Sequence, residues 1–353
     1  MQIDMHYYGT YAMARAAGLN KEASTIIATA SQFVDDNAHK DSVEFDDGSR
    51  IDAEATAHHS VDIHNVMPDD QRRIWVPFHF LPGMKGTAYL ERLACQKNSP
   101  IAQDMIKHSL WHSDAVFFLE LMGIAAHVYA DTFSHFGFSG VSSTYNAIIN
   151  DSIELMELET HVKEHLDKKT KSFSKKFNPF DDIASWFAEK VTGALGHGAV
   201  LTYPDRPYLK WSYVYEHTRE KVVRNNQDTF LEYCEEIYKI FKEVAELKPE
   251  YKEKSVEFSD IRDTVKEILS VQAVKEDRIA KWRKNVIDGK LFESGGDDIP
   301  RYDGWNDDFD RLDDMSNSEV ALKSNVFRFF QAAAMHRTFV LRKLLPAHGL
   351  VVA

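Results

Sequence analysis

From Ala115 to Ala130 nearly every residue is apolar, Glu120 excepted. A helix apolar all round belongs inside a protein, so this stretch is read as the central buried helix. Around it the hydrophobic spacing is mostly helical. His6 to Ala17 reads as a helix closed by Gly18, and Asn20 caps a second helix from Lys21 to about Val34, ending at Asp35-Asp36-Asn37. Residues 84–96 and 100–136 read as helices, 146–173 as a charged amphipathic helix, and 180–195 as another, begun by Asn178-Pro179 and stopped by Gly196. Past a loop over 196–211 that contains Tyr-Pro-Asp-Arg-Pro, helices are predicted at about 212–247, 256–271, 274–289 and 317–344. The last carries Phe327, Phe329, Phe330 and three consecutive alanines, a face suited to packing back onto the core. The one convincing strand pair is the alternation on either side of Asp47-Gly48, between Ser42 and Asp52, which predicts a β-hairpin.

The predicted fold class is therefore all-α, a multi-helix bundle with a small β-hairpin insertion near residues 42–57. Residues 1–290 are expected to form a single helical, metal-binding catalytic domain. Residues 291–353 are expected to add an acidic linker or lid and the C-terminal packing helix. Within 290–316, Gly295-Gly296, Pro300 and many aspartates mark the linker or lid.

Composition narrows the function. The chain has 353 residues and a net charge of −13, which argues against a coat for long nucleic acid or a basic membrane-surface binder, since both neutralise phosphates with Lys and Arg. Its two cysteines, Cys95 and Cys234, make no thiolate zinc motif and no disulfide framework, and are read as buried free thiols. The opening residues show neither the basic nor the apolar region of a secretory signal, and no apolar run reaches the roughly 18–20 residues of a membrane span. The expectation is a cytoplasmic protein with no integral membrane segment.

The chemistry concentrates on the central helix. Steps of four residues advance a helical side chain by about 40°, so His127, Asp131 and His135 share one face of an otherwise apolar helix. A buried carboxylate needs compensation. A divalent metal supplies it, and imidazole with carboxylate suits zinc, manganese or iron. The alternative is a hydrogen-bonded His–Asp–His network in the core. Further donors are available. Asp4 is a ligand or the N-cap of the first helix, beside His6. One of Asp35 and Asp36 is a ligand, the other helix-end chemistry. His58 and His59, with Asp62 and His64 close behind, are ligands or surface-loop residues. His79 lies in the apolar Trp-Val-Pro-Phe-His-Phe-Leu-Pro-Gly, and His197 in Leu-Gly-His-Gly, with Asp205 eight residues on. His108 and His112 are read as structural. His161 and His165 are read as part of a solvated charged face.

The order of these motifs resembles the zinc-dependent phospholipase C and single-strand nuclease superfamily. That likeness implies an all-α fold with a three-zinc cluster and covers roughly residues 1–210. His6 takes the place of the early histidine, Asp35 or Asp36 that of the aspartate ending the helical hairpin, and His79 that of the loop histidine. His127 and Asp131 match the central His-x-x-x-Asp, His135 the following histidine, and His197 with Asp205 the closing pair. The chain departs from the pattern at three points. It begins Met1-Gln-Ile-Asp where the superfamily has a ligating N-terminal tryptophan, so that Asp4 substitutes or one metal is absent. The step from Asp131 to His135 is short, and no His-x-x-x-Glu follows. The chain also resembles a bacterial family whose members open Ile-Asp-Met-His-Tyr-Tyr-Gly-Thr-Tyr, a likeness that implies no function.

The expectation is a metal-dependent hydrolase, phosphodiesterase or phospholipase-C-like, with two or three zinc ions (or manganese or iron) activating water. Asp131 would anchor or bridge the metals. Glu120, on the face of His127, would orient ligands from behind. Arg206 is a candidate phosphate clamp, the alternative being an exposed, salt-bridged arginine. The substrate is expected to be a small phosphoester or lipid head group, not long nucleic acid. The other readings are a phosphohydrolase of the HD type, whose His-Asp dipeptide is missing from the helices, an amide or lactone hydrolase, and a non-catalytic protein stabilised by metal or sensing it.

Overall fold

The computed structural model describes residues 1–58, 68–160, 200, 202–312 and 321–352, with 162 and 164. Two elements lead to the site. The first begins with a π-helical turn, Asp4–Gly9, that runs without a break into α1 (Thr10–Ala16). Gly18, at φ 98°, then turns the chain. In the second, the Asn20 side chain accepts from the Ala23 N–H at 2.9 Å and starts α2 (Lys21–Asp36). The hairpin follows as expected, β1 (Ser42–Glu44) antiparallel to β2 (Arg50–Asp52).

The predicted 84–96 helix contracts to α3 (Tyr89–Arg92). The predicted 100–136 helix divides into α4 (Pro100–Trp111), capped by Ser99, and α5 (Phe118–Ser134). Every residue of α5 is buried, as its uniform hydrophobicity requires, and α2, α4, α6 (Asn226–Leu247) and α10 (Asn325–Phe339) surround it. Gly123 sets the approach of α2. A Cβ there would stand 2.4 Å from both Ala30 Cβ and the Ile27 carbonyl. In this register Gly123 meets Ala30 and His127 meets Ser31, so the C-terminal ends of the two helices arrive together.

A second sheet departs from the all-α expectation. Within 146–173 and at the start of 212–247, both read as helical, the chain forms β3 (Glu154–Met156), β4 (Lys210–Val214) and β5 (Lys221–Asn225), an antiparallel sheet in that order; residues 160, 162 and 164 are helical, and 161, 163 and 165–173 lie outside the described residues. β4 and β5 form a hairpin in which Trp211 faces Arg224, and β3 joins it from far off in sequence, Leu155 facing Trp211. Phe80, Phe138, Leu209, Trp211 and Tyr213 form a small second core with this sheet. The fold is thus mostly helical, with two small antiparallel sheets.

Beyond it come α7 (Phe258–Leu269) and α8 (Lys275–Ile287), close to their expected spans. The acidic stretch after 290 lies against the bundle. Leu291, Phe292, Ile299 and Trp305 are buried in the main core, with Phe309 and Leu312 of α9 (Asn306–Leu312). Trp305 packs edge-on to Phe33 of α2. α10 continues through Val340–Leu344 and Leu345–Ala347; residues 322–324 interrupt the predicted 317–344 helix, whose first four residues lie outside the described residues. The predicted 180–195 helix and residues 313–316 lie outside the described residues.

Candidate metal centre

The last turns of α5 carry His127 and Asp131, and His135 is the residue that ends the helix. Arg224 holds this end: its guanidinium donates to the Ser134 and Phe136 carbonyls and stacks 3.7 Å from the Phe136 ring. A cation there also complements the negative end of the helix. The end of α2 brings Asp35, the π-turn brings His6, and the turn after Val76–Phe78 brings His79.

Backbone carbonyls decide which ring nitrogens face inward. His127 Nδ1–H donates to Ser31 O at 2.7 Å, His79 Nε2–H to Thr56 O at 2.9 Å, and His135 Nδ1–H to His79 O at 2.9 Å. In the neutral rings of His127 and His79 the remaining nitrogens present lone pairs; burial lowers the His79 pKa, but its hydrogen bond to Asp131 and the charge of Asp35 outweigh burial and raise it. His127 Nε2 and His79 Nδ1 face each other across 3.2 Å. His135 Nε2 is 3.1 Å from Asp205 Oδ1. His6 stacks on His127 with centroids 3.9 Å apart, and both its ring nitrogens are buried without a hydrogen bond.

Asp131 lies between these rings, 1% exposed. Its Oδ1 is 2.6 Å from the Met1 amine and 3.3 Å from His6 Nε2, while Oδ2 is 3.3 Å from His127 Nε2 and 3.4 Å from His79 Nδ1. Asp35 Oδ1 stands 3.7 Å from His79 and 3.8 Å from His127. Two donor groups emerge, His6–His127–Asp131 and Asp35–His79–His127, each close enough to share an ion. Burial opposes the charge on Asp131, but His135, the Met1 ammonium and His127 hold its carboxyl well below the usual range. Burial opposes the Met1 ammonium too, yet Asp131 and Asp205 raise it to about 10. Burial and the repulsion of His127 and the Met1 ammonium push His6 down to about 3.

The other candidates separate. Asp205 joins the centre through His135 and lies 3.5 Å from the Met1 amine. Asp36 turns away and accepts from Tyr302 OH at 2.6 Å, so of the two adjacent aspartates Asp35 faces the histidines. Asp4 caps no helix and faces no cluster histidine; it is ion-paired with Arg278. His58 Nε2 stands 3.5 Å from Asp70. Glu120 lies two turns before His127, buried with Oε1 lacking a hydrogen bond; burial, countered in part by Arg328, raises its pKa to about 7. It makes no hydrogen bond to the cluster. Arg206 is 3% exposed, not the exposed salt-bridged arginine considered above. His59 and His197 lie outside the described residues. Arg224, Arg278 and Tyr302, and the carbonyls of Ser31 and Thr56, support the site without any local sequence signal.

His336 braces the turn that carries His79. Its Nε2–H donates to Pro77 O at 2.9 Å, and burial pushes its pKa down to about 4. An unfolded histidine titrates near 6.5, so between these values the unfolded chain binds a proton that the fold refuses, and stability drops as pH falls. The expected loss from pH 7 to 4 is on the order of 3 kcal/mol. Denaturant unfolding should show it in the wild type and a shallower pH dependence in His336→Gln; equal slopes would refute this role.

A cleft of about 530 Å³ opens beside the centre, lined by Asp35, Asp36, Met1, Arg206 and Lys275 among others. The molecule is thus a mostly helical protein built around a buried histidine–carboxylate centre. It belongs to a family of unknown function, DUF6765, whose model matches residues 1–344. No curated protein and no solved structure matches the chain.

Proposed function

We propose that this protein is a metal-dependent hydrolase acting on a phosphoester. The observation that carries the proposal is the pair of lone pairs on His127 Nε2 and His79 Nδ1, turned toward each other at 3.2 Å while their opposite nitrogens serve backbone carbonyls. Two acceptors held this way repel unless a proton or a metal cation lies near both. Ligating imidazoles elsewhere use the same arrangement, one nitrogen on the metal and the other fixed by a carbonyl or carboxylate.

His6, Asp35, His79, His127 and Asp131 would hold the metal, zinc suiting the donor set best and manganese or iron fitting it as well. The two donor groups share His127, whose one free ring nitrogen serves one ion at a time, so a second ion would rest on the carboxylates and the other histidines. A divalent cation bound there supplies Lewis acidity and a water acidic enough to attack at neutral pH. The chain's part is to fix the ligands. Ser31 and Thr56 set the ring tautomers, Asp205 orients His135, and Asp131 places one oxygen toward each donor group. Structural sites are coordinatively closed, whereas catalytic ones keep an open side; the cleft at Asp35 supports the second kind. The phosphoester class rests on the resemblance to the zinc-dependent phospholipase C and nuclease superfamily.

Metal analysis of the purified chain, followed by a panel of phosphodiesters and monoesters, tests the proposal. About two ions per chain and chelator-sensitive hydrolysis are expected. Full occupancy with no ester cleaved would sink it.

A further inference from the structure

Resting on that reading, we infer that Arg206 is a substrate-binding residue that takes a single phosphoryl group in the cleft, making the substrate a compact ester with one phosphate and no polyanionic tail. Arg206 lies at 3% exposure and lines the cleft that also contains Asp35. Its hydrogen bonds among the described residues go to hydroxyls alone: Nε and Nη2 to Thr202 Oγ1, Nη1 to Tyr208 OH. A guanidinium has five N–H donors. Two remain unassigned, and among the described residues no carboxylate forms an ion pair with it. A buried cation without a counter-ion is costly, so an anion is the natural complement. The planar fork matches phosphate oxygens in particular.

The turn that presents Arg206 is built for its position. Asn226 Nδ2 donates to the carbonyls of Tyr203 and Arg206, and Trp211 Nε1 donates to Asn226 Oδ1. Within this turn neighbouring residues are sorted by charge. Asp205 goes to His135 and the Met1 amine, while Arg206 goes to the cleft. One phosphoryl group in the cleft would therefore meet the histidine–carboxylate centre and Arg206 together. The volume suits one small molecule, and the lining sets the carboxylates of Asp35, Asp36 and Glu276 against the side-chain cations Arg206 and Lys275, a balance that disfavours further phosphates.

The test is calorimetric titration of inorganic phosphate and of tripolyphosphate into the full chain with its metal content measured. Arg206→Gln should weaken phosphate binding about tenfold to a hundredfold with metal unchanged. Thr202→Val, at an exposed position, should weaken it several-fold and serves if Arg206→Gln does not fold. Wild-type protein should prefer phosphate to tripolyphosphate. Unchanged phosphate binding in both variants overturns the role of Arg206, and a preference for tripolyphosphate overturns the single-phosphate limit. If esters are hydrolysed but both variants bind phosphate normally, the hydrolase reading stands and this inference falls. Phosphate binding that depends on Arg206 in a protein without metal or hydrolysis gives the reverse.

Discussion

Asp131→Ala is expected to lose its bound metal and its hydrolysis together. Its two oxygens face the rings of both donor groups, which share His127. One oxygen looks toward His6 and the Met1 amine, the other toward His127, His79 and, at 3.6 Å, His135. Removing a residue behind a ligand typically costs 10–100-fold in metal affinity, so losing a shared ligand should cost more than about a hundredfold. The fold is affected as well. The Met1 ammonium, wholly buried, would keep Asp205 at 3.5 Å as its nearest carboxylate. The charge keeps this weaker partner, so the cost should fall below the roughly 3–5 kcal/mol of a stranded buried charge. Added zinc should stabilise the wild type by about 4 kcal/mol at a thousandfold excess over its dissociation constant and leave the variant almost unmoved. Asp131→Asn separates charge from shape: it should restore part of the thermal stability but little of the metal affinity. Thermal melts with and without zinc, with metal analysis, decide the matter. A metal-replete, active Asp131→Ala would refute the centre.

Much of this centre was legible because its ligands lie where local rules are strong. A His-x-x-x-Asp on a helix with no polar face announces a buried cluster, and a histidine inside Trp-Val-Pro-Phe-His-Phe-Leu is out of place in solvent. Asp35 and Asp36 could not be separated in the same way. Adjacent helical residues point about 100° apart, and the choice between them depends on α5 lying on one side of α2 and Tyr302 on the other. Long-range partners hid the rest. β4 reads as the start of a helix because α6 follows so soon, and its strand character comes from the hairpin with β5 and from Leu155, far off in sequence. Arg206 looked like a surface residue between two prolines until the Asn226 turn buried it. Asp4 looked like a ligand by its nearness to His6, whereas the side chain that claims it comes from α8.

That pairing sets up the second large effect. Arg278→Met should destabilise the fold by about 3–5 kcal/mol, because it leaves a buried carboxylate unpaired. Arg278 and Asp4 are both 1% exposed or less, with Nε 2.6 Å from Oδ2 and Nη2 3.1 Å from Oδ1. Nη2 also reaches Gln2 Oε1, and Nη1 the Ala273 carbonyl. The arginine thus ties the first residues of the chain to the start of α8, and His6 lies two residues past Asp4 in the same π-helical turn. Loss of this tie should loosen His6 and lower metal affinity, although Arg278 touches no cluster residue. Asp4→Asn combined with Arg278→Met removes the stranded charge and should recover much of the stability, while the tie to α8 stays broken. If the tie matters to the site, the double variant folds well yet still binds zinc more weakly than wild type. If only the buried charge matters, stability and zinc affinity return together. Denaturant unfolding and zinc titration of the single and double variants separate these outcomes, and Arg278→Met within 1 kcal/mol of wild type would show that the pair contributes nothing.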